Sequence, residues 1–193
     1  MKVKRSIVAL TALLGILVGL ETVGARVDVS VDFDKKFDFK RVKTWGWTPE
    51  KPGEVKMART KDDNPEAARQ RAEPIILDAV NGEMGRRGLQ ASPSAPDLTI
   101  TYYLLLSTNM STQTIGQFLP GTVAWGLPPM TGATQSIKMM NRGSLVLDLS
   151  AANNVVWRGV AHADIKFDAD DKRRESLLRE AVRDLLRKYP PGS

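Results

Sequence analysis

The chain has no cysteine and a single histidine, His162. The first absence excludes disulfides, zinc–thiolate centres, redox dithiols and cysteine nucleophiles. The second leaves carboxylates, with one imidazole, as the only side chains for a metal site. No G-x-S-x-G, P-loop or G-x-G-x-x-G occurs, so neither a serine-hydrolase elbow nor a nucleotide phosphate cradle is marked. Only one long apolar run exists, Ile7 to Leu20, and it stands at the N-terminus.

That run is preceded by Lys2, Lys4 and Arg5 and followed by Val23-Gly24-Ala25, which offers small residues at the −3 and −1 positions of a cleavage site. The layout is that of a secretory signal peptide. The apolar stretch is 14 residues long, short of the ~20 that a spanning helix needs, and Glu21 follows at once. The alternative is an uncleaved anchor, in which Gly15 and Gly19 would form a G-x-x-x-G packing pair. Cleavage divides the chain into a leader, residues 1–25, and a single domain, residues 26–193. The domain is then expected in the periplasm with no transmembrane segment. The formal charge is +6, of which Lys2, Lys4, Arg5 and Glu21 hold +2, leaving +4 on the mature chain. A mildly basic surface suits an anionic envelope. It is too modest to suggest nucleic acid.

The mature chain opens with Val27, Val29, Val31 and Phe33 alternating with Asp28, Ser30, Asp32 and Asp34, the period of a half-buried antiparallel strand. Val42 to Trp47 predicts a second strand. Residues 48–63 are charged, with Pro49, Pro52 and Gly53, and read as a mobile loop. Asn64-Pro65-Glu66 then supplies an N-cap, a first-turn proline and an acid. Ala68, Ala72, Ile75, Ile76, Ala79 and Val80 recur at helical spacing. Pro74 inside this pattern predicts a kink or a late start near Glu73, and Gly88 a stop. Residues 90–96 form a connector. Asp97 to Ser107 is the clearest strand, with Leu98, Ile100, Tyr102, Leu104 and Leu106 on one face. Two further strands around Leu145–Leu149 and Val155–Ile165 make a hairpin turning at Asn153-Asn154, with Gly159 marking a bulge or close packing. A last helix runs from about Asp170 to Lys188. The expected fold is α+β: a small antiparallel sheet with two helices on one face, a two-layer sandwich.

Several separated blocks resemble a family of bacterial envelope proteins of unknown function, the DUF4136 domain. They are the early Val-Asp-Val-Ser-Val-Asp-Phe-Asp, Asp38-Phe39-Lys40, Lys43-Thr44-Trp45-Gly46-Trp47, Arg87-Gly88-Leu89, Pro96-Asp97-Leu98, Gly143 to Leu149, Val156-Trp157-Arg158-Gly159 and Tyr189-Pro190-Pro191. The resemblance spans nearly all of the mature chain. It implies a small α+β envelope domain and supplies no catalytic residue to carry over. Many members are lipoproteins with a cysteine after the leader. Here Ala25 is followed by Arg26, so no lipid can attach, and a soluble periplasmic protein is expected.

The candidate sites are few. His162 and Asp164 would share a strand face, as a general base and its carboxylate do; an exposed strand pair looks the same. Asp168, Asp170 and Asp171 lack EF-hand spacing and fit the start of a helix. Arg179, Arg183 and Arg187 form a stripe at spacing four, either a solvated face with Glu175 and Asp184 as partners or a weak contact for anionic headgroups. Trp157 reads as core. Trp45 and Trp47 read as core or as an exposed aromatic platform. The segment 108–136 is rich in Thr, Gly and Pro, nearly uncharged, and carries Phe118, Leu127 and Trp125. Long segments of this kind are uncommon and often functional, and this one is the candidate contact for an envelope protein partner. No catalytic residue and no cofactor is implied. The expected role is a non-enzymatic interaction or structural domain. The alternatives are a binding module holding an apolar or amphipathic ligand between helices and sheet, and, last, an enzyme of unrecognised type.

Overall fold

The computed structural model describes residues 27–58, 64–107, 143–163 and 170–191. The leader, Phe118, Trp125, Leu127, Asp164 and Asp168 lie outside these residues. The elements are β1 (Asp28–Phe33), a 3-10 turn (Phe39–Arg41), β2 (Thr44–Trp47), β3 (Gly53–Ala58), α1 (Pro65–Arg86), β4 (Gln90–Ala91), β5 (Leu98–Ser107), β6 (Gly143–Ala151), β7 (Asn154–Ala163) and α2 (Asp171–Leu186).

All seven strands join one sheet in the order β1-β7-β6-β5-β2-β4, with β3 also paired to β5. β1, β7, β6 and β5 run antiparallel. β2 and β3 lie end to end along the other side of β5, both parallel to it. The α+β class and the two helices agree with expectation. The small antiparallel sheet does not, because this sheet is mixed and larger. The cause is α1, which carries the chain from β3 back to β5; a crossover helix leaves the strands it joins parallel. β3 also occupies part of the 48–63 stretch expected as a loop. Thr48 N donates to Ile100 O and Tyr102 N to Pro52 O, each at 3.0 Å, so the residues from Pro49 to Lys51 leave the ladder as a bulge between β2 and β3.

α1 starts as its sequence dictates: Asn64 Oδ1 accepts from Ala67 N at 2.9 Å, satisfying one orphan N–H. The helix continues through Pro74 without a late start. Pro74 and Gln70, whose carbonyl loses its partner, are both exposed, so water can satisfy it. Gly88, at φ +73°, ends the helix in the left-handed region, and Leu89 N returns to Met84 O, the geometry of a glycine stop. In α2, Asp170 caps Arg173 N at 2.8 Å, and Leu177, Leu178, Ala181, Val182, Leu185 and Leu186 are buried. The helices run side by side in the same direction over one sheet face. Asp78 of α1 meets Arg179 of α2, and Arg87 just after α1 meets Tyr189 just after α2.

The β6–β7 hairpin turns on Ala152 and Asn153, at φ +46° and +64°, a two-residue type I′ geometry one residue earlier than the Asn153-Asn154 expected. Gly159 lies under the helices, where a Cβ would come within 2.4 Å of the Trp157 ring and 2.8 Å of Leu185. Close packing, one of the two readings of that glycine, is what the site requires. The ladder irregularity falls instead between Leu149 and Ser150 on the facing strand.

Candidate functional site

The blocks that suggested a family converge on packing. Trp157 meets Tyr189 edge-on at 6.0 Å, Tyr189 meets Phe39 at 5.9 Å, and Arg87 Nε donates to Tyr189 O at 3.2 Å. Asp97 Oδ2 accepts from the amides of Lys43 and Thr44, both at 2.8 Å, tying β2 to the start of β5. These amides, with the Thr44 hydroxyl, hold the Asp97 carboxyl below its usual range. Asp148 and Arg158 stand opposite each other in the hairpin on the face away from the helices, 1% exposed each. Arg158 donates through Nε and Nη2 to the two carboxylate oxygens at 2.6 Å. Burial pushes the Asp148 carboxyl up, and the guanidinium opposes that shift. This pair was not read from the sequence. Its signal was an Asp and an Arg each embedded in apolar residues, at matching distances from one hairpin turn.

His162 lies against a buried serine of β6. Ser144 Oγ lies 2.9 Å from His162 Nδ1, and Asp28 faces His162 across β1, so Ser, His and Asp do line up over three strands. Yet Ser144 is 3% exposed, and a nucleophile that a carbonyl cannot reach performs no acyl transfer. The Ser144–His162 contact therefore serves as a cross-strand bond. Among the described residues no group of three or more His, Cys, Asp or Glu is placed to hold a metal ion, and no helix is long and apolar enough to cross a membrane. Asp170 is a helix cap. The arginine stripe is locally balanced: Arg179 pairs with Asp78 and Glu175, and Arg183 and Arg187 share Asp184.

Two concavities are lined by the described residues. The larger, about 810 Å³, lies at the β2 edge against α1, among Trp45, Trp47, Pro49, Pro52, Asn81 and Gly85. Its two indoles meet edge-on at 5.9 Å. The sequence left the pair open between core and platform, and the structure divides it. Trp45 is 3% exposed, whereas Trp47 is half-buried and donates Nε1–H to Asn81 Oδ1 at 3.1 Å. At Gly85 an added Cβ would meet nothing within 4 Å, so the groove stays open at a weak helix former of α1. Pro49 and Pro52 after Trp47 are the legible signal of this groove, within the stretch expected as a loop. The smaller cleft, about 250 Å³, lies between α1 and α2 above the end of β5. Its floor is Ala72, Leu104, Leu106 and Leu178, and charged side chains stand at its mouth.

The solved structures similar to this chain share its fold. A DUF4136 family protein from Bacteroides thetaiotaomicron superposes with a TM-score of 0.53 at 17% identity, over 85% of this chain and 96% of that one. A PDZ domain protein from Parabacteroides distasonis gives 0.50 at 14% identity, over 91% of this chain but only 38% of that one. No curated protein matches the sequence. The sequence itself matches the domain of unknown function DUF4136 over residues 29–191. With motif blocks, fold and sequence match in agreement along that span, the chain belongs to the DUF4136 family.

Proposed function

We propose that the chain is an exported, non-enzymatic interaction domain of the bacterial envelope, with the Trp47 groove at its sheet edge as a contact surface for another envelope component. The observation that carries this reading is a partly exposed indole in an open groove whose lining holds no charged residue. Aromatic side chains with rigid proline neighbours are favoured at recognition surfaces, because they bury large area at little entropic cost. The leader at residues 1–25 supports export, and the missing cysteine after Ala25 supports release into the periplasm. The 108–136 segment, with Phe118, Trp125 and Leu127, offers further contact. Headgroup binding by Arg179, Arg183 and Arg187 is a weaker component, since Asp78, Glu175 and Asp184 already balance their charge.

Two experiments test this. Mass spectrometry of the periplasmic fraction is expected to find a chain beginning at Arg26; an intact Met1 overturns export. A photo-crosslinking residue in place of exposed Pro49 is expected to capture one envelope partner, and adding Gly85→Phe to abolish that product without lowering the melting temperature. A product that survives the filled groove overturns the surface. A second reading, an amphipathic ligand between helices and sheet, is favoured by the separate α1–α2 cleft.

A further inference from the structure

We infer that the α1–α2 cleft binds a single-chain amphiphile bearing one negative charge, a fatty-acid carboxylate, with Arg71 holding its head. This names the ligand class of the second reading above and is independent of the groove. The floor of the cleft is apolar, formed by Ala72, Leu104, Leu106 and Leu178, each 7% exposed or less. Its volume of about 250 Å³ holds about eight water-sized units at ~30 Å³ each. That is room for most of one acyl chain and not for two. Apolar pockets with a few placed polar groups are the usual form of small-ligand sites.

The mouth decides the sign of the ligand. Arg71, Arg174, Asp171 and Glu175 stand there. The two acids are already engaged: Asp171 with Arg174, and Glu175 with Arg179. The Arg174 guanidinium holds the Asp171 carboxyl low, so it stays ionised. Arg71 is exposed and forms no ion pair among the described residues; its charge helps to hold the Asp171 carboxyl low, while its guanidinium donors stay open beside an apolar pocket. The first turns of two parallel helices border the same mouth and add favourable potential for an anion. One spare guanidinium next to two carboxylates matches a monoanion and disfavours a phosphomonoester dianion. A carboxylate also suits the planar two-pronged donor geometry of arginine.

Calorimetry of the mature chain with sodium dodecanoate, below micelle formation, tests the assignment. One saturable site is expected. Arg71→Gln is expected to weaken dodecanoate about tenfold, the size of one charge-assisted contact at an exposed rim, and to leave dodecanol binding unchanged. Ala68→Trp, at a half-buried position lining the cleft, is expected to abolish binding of both. Absence of saturable dodecanoate binding overturns the inference, as does indifference to either variant, or dodecyl phosphate binding more tightly than dodecanoate. Arg71 is exposed, so its variant should fold as wild type, and Gly85→Phe should leave dodecanoate binding intact. Failure here therefore leaves the groove reading standing, and the converse holds.

Discussion

Replacing Asp148 with Asn removes one charge from a pair sealed inside the sheet and leaves the other behind. Both side chains are within 2% of complete burial, and two parallel bonds of 2.6 Å join them. Removing one partner of a buried ion pair costs about 3–5 kcal/mol. At roughly 2–4 °C per kcal/mol for a domain of this size, the melting temperature should fall by roughly 6–20 °C. Arg158→Met strands the carboxylate and should cost a similar amount. Asp148→Leu combined with Arg158→Met removes both charges and their desolvation together, so the double variant should be more stable than either single one. Urea unfolding of wild type, Asp148→Leu, Arg158→Met and the double variant gives the coupling directly. Additive losses, or an Asp148→Asn variant within ~1 kcal/mol of wild type, would refute the argument that these charges depend on each other.

Asp97→Ala should destabilise at neutral pH. A carboxyl held low in the folded state stabilises above its unfolded value, and that contribution is lost as pH falls through the folded value; the gap between variant and wild type in urea midpoint should therefore close toward acid, and a gap constant with pH would count against it. Gly159→Ala should cost about 1–3 kcal/mol by overpacking against Trp157 and Leu185, read from a thermal melt; an unchanged melt would mean that the ring has room to move. Tyr189→Phe should be neutral or stabilising, because the hydroxyl is buried without a hydrogen-bond partner among the described residues, and a loss above ~1 kcal/mol would imply a partner after all. Trp45→Ala should cost about 3–5 kcal/mol as a core truncation, and Trp47→Ala clearly less, since part of its ring is already in water; equal losses would make both residues core.

The elements legible in the sequence were those whose period survives without knowledge of a partner. β1 alternates cleanly, α2 keeps a full apolar stripe, and the caps at Asn64 and Asp170 bond as their residue types predict. β3 was hidden because Glu54 and Lys56 surround its core residue Val55, so its pattern looks like a charged loop. Parallel pairing was hidden for a different reason. Periodicity reports which face a strand buries but not which strand lies beside it, and only the length of α1 as a crossover hinted at direction. The hairpin carried a signal that was underread. Leu145-Val146-Leu147 and Val155-Val156-Trp157 are continuous apolar runs, the mark of strands buried on both faces, and Val146 and Val160 on the face away from the helices are indeed 0% and 1% exposed.

The recognisable blocks and the candidate surface are therefore mostly different residues. Gly159 makes room for Trp157, Arg158 answers Asp148, Asp97 gathers the start of β2, and Arg87 reaches Tyr189. Each of these residue types is demanded by a neighbour, so the blocks specify a frame. Trp47 is the exception within them. Core packing accounts for Trp45, yet a smaller apolar side chain would cover the same edge as Trp47 without leaving indole surface in water or requiring Asn81 to satisfy Nε1–H. An indole kept partly wet, beside prolines and a helix glycine that leaves space open, is more aromatic surface than covering the edge requires. That surplus is what sets the groove apart from the rest of the fold, and it is why the Trp45–Trp47 comparison bears on function as well as on packing.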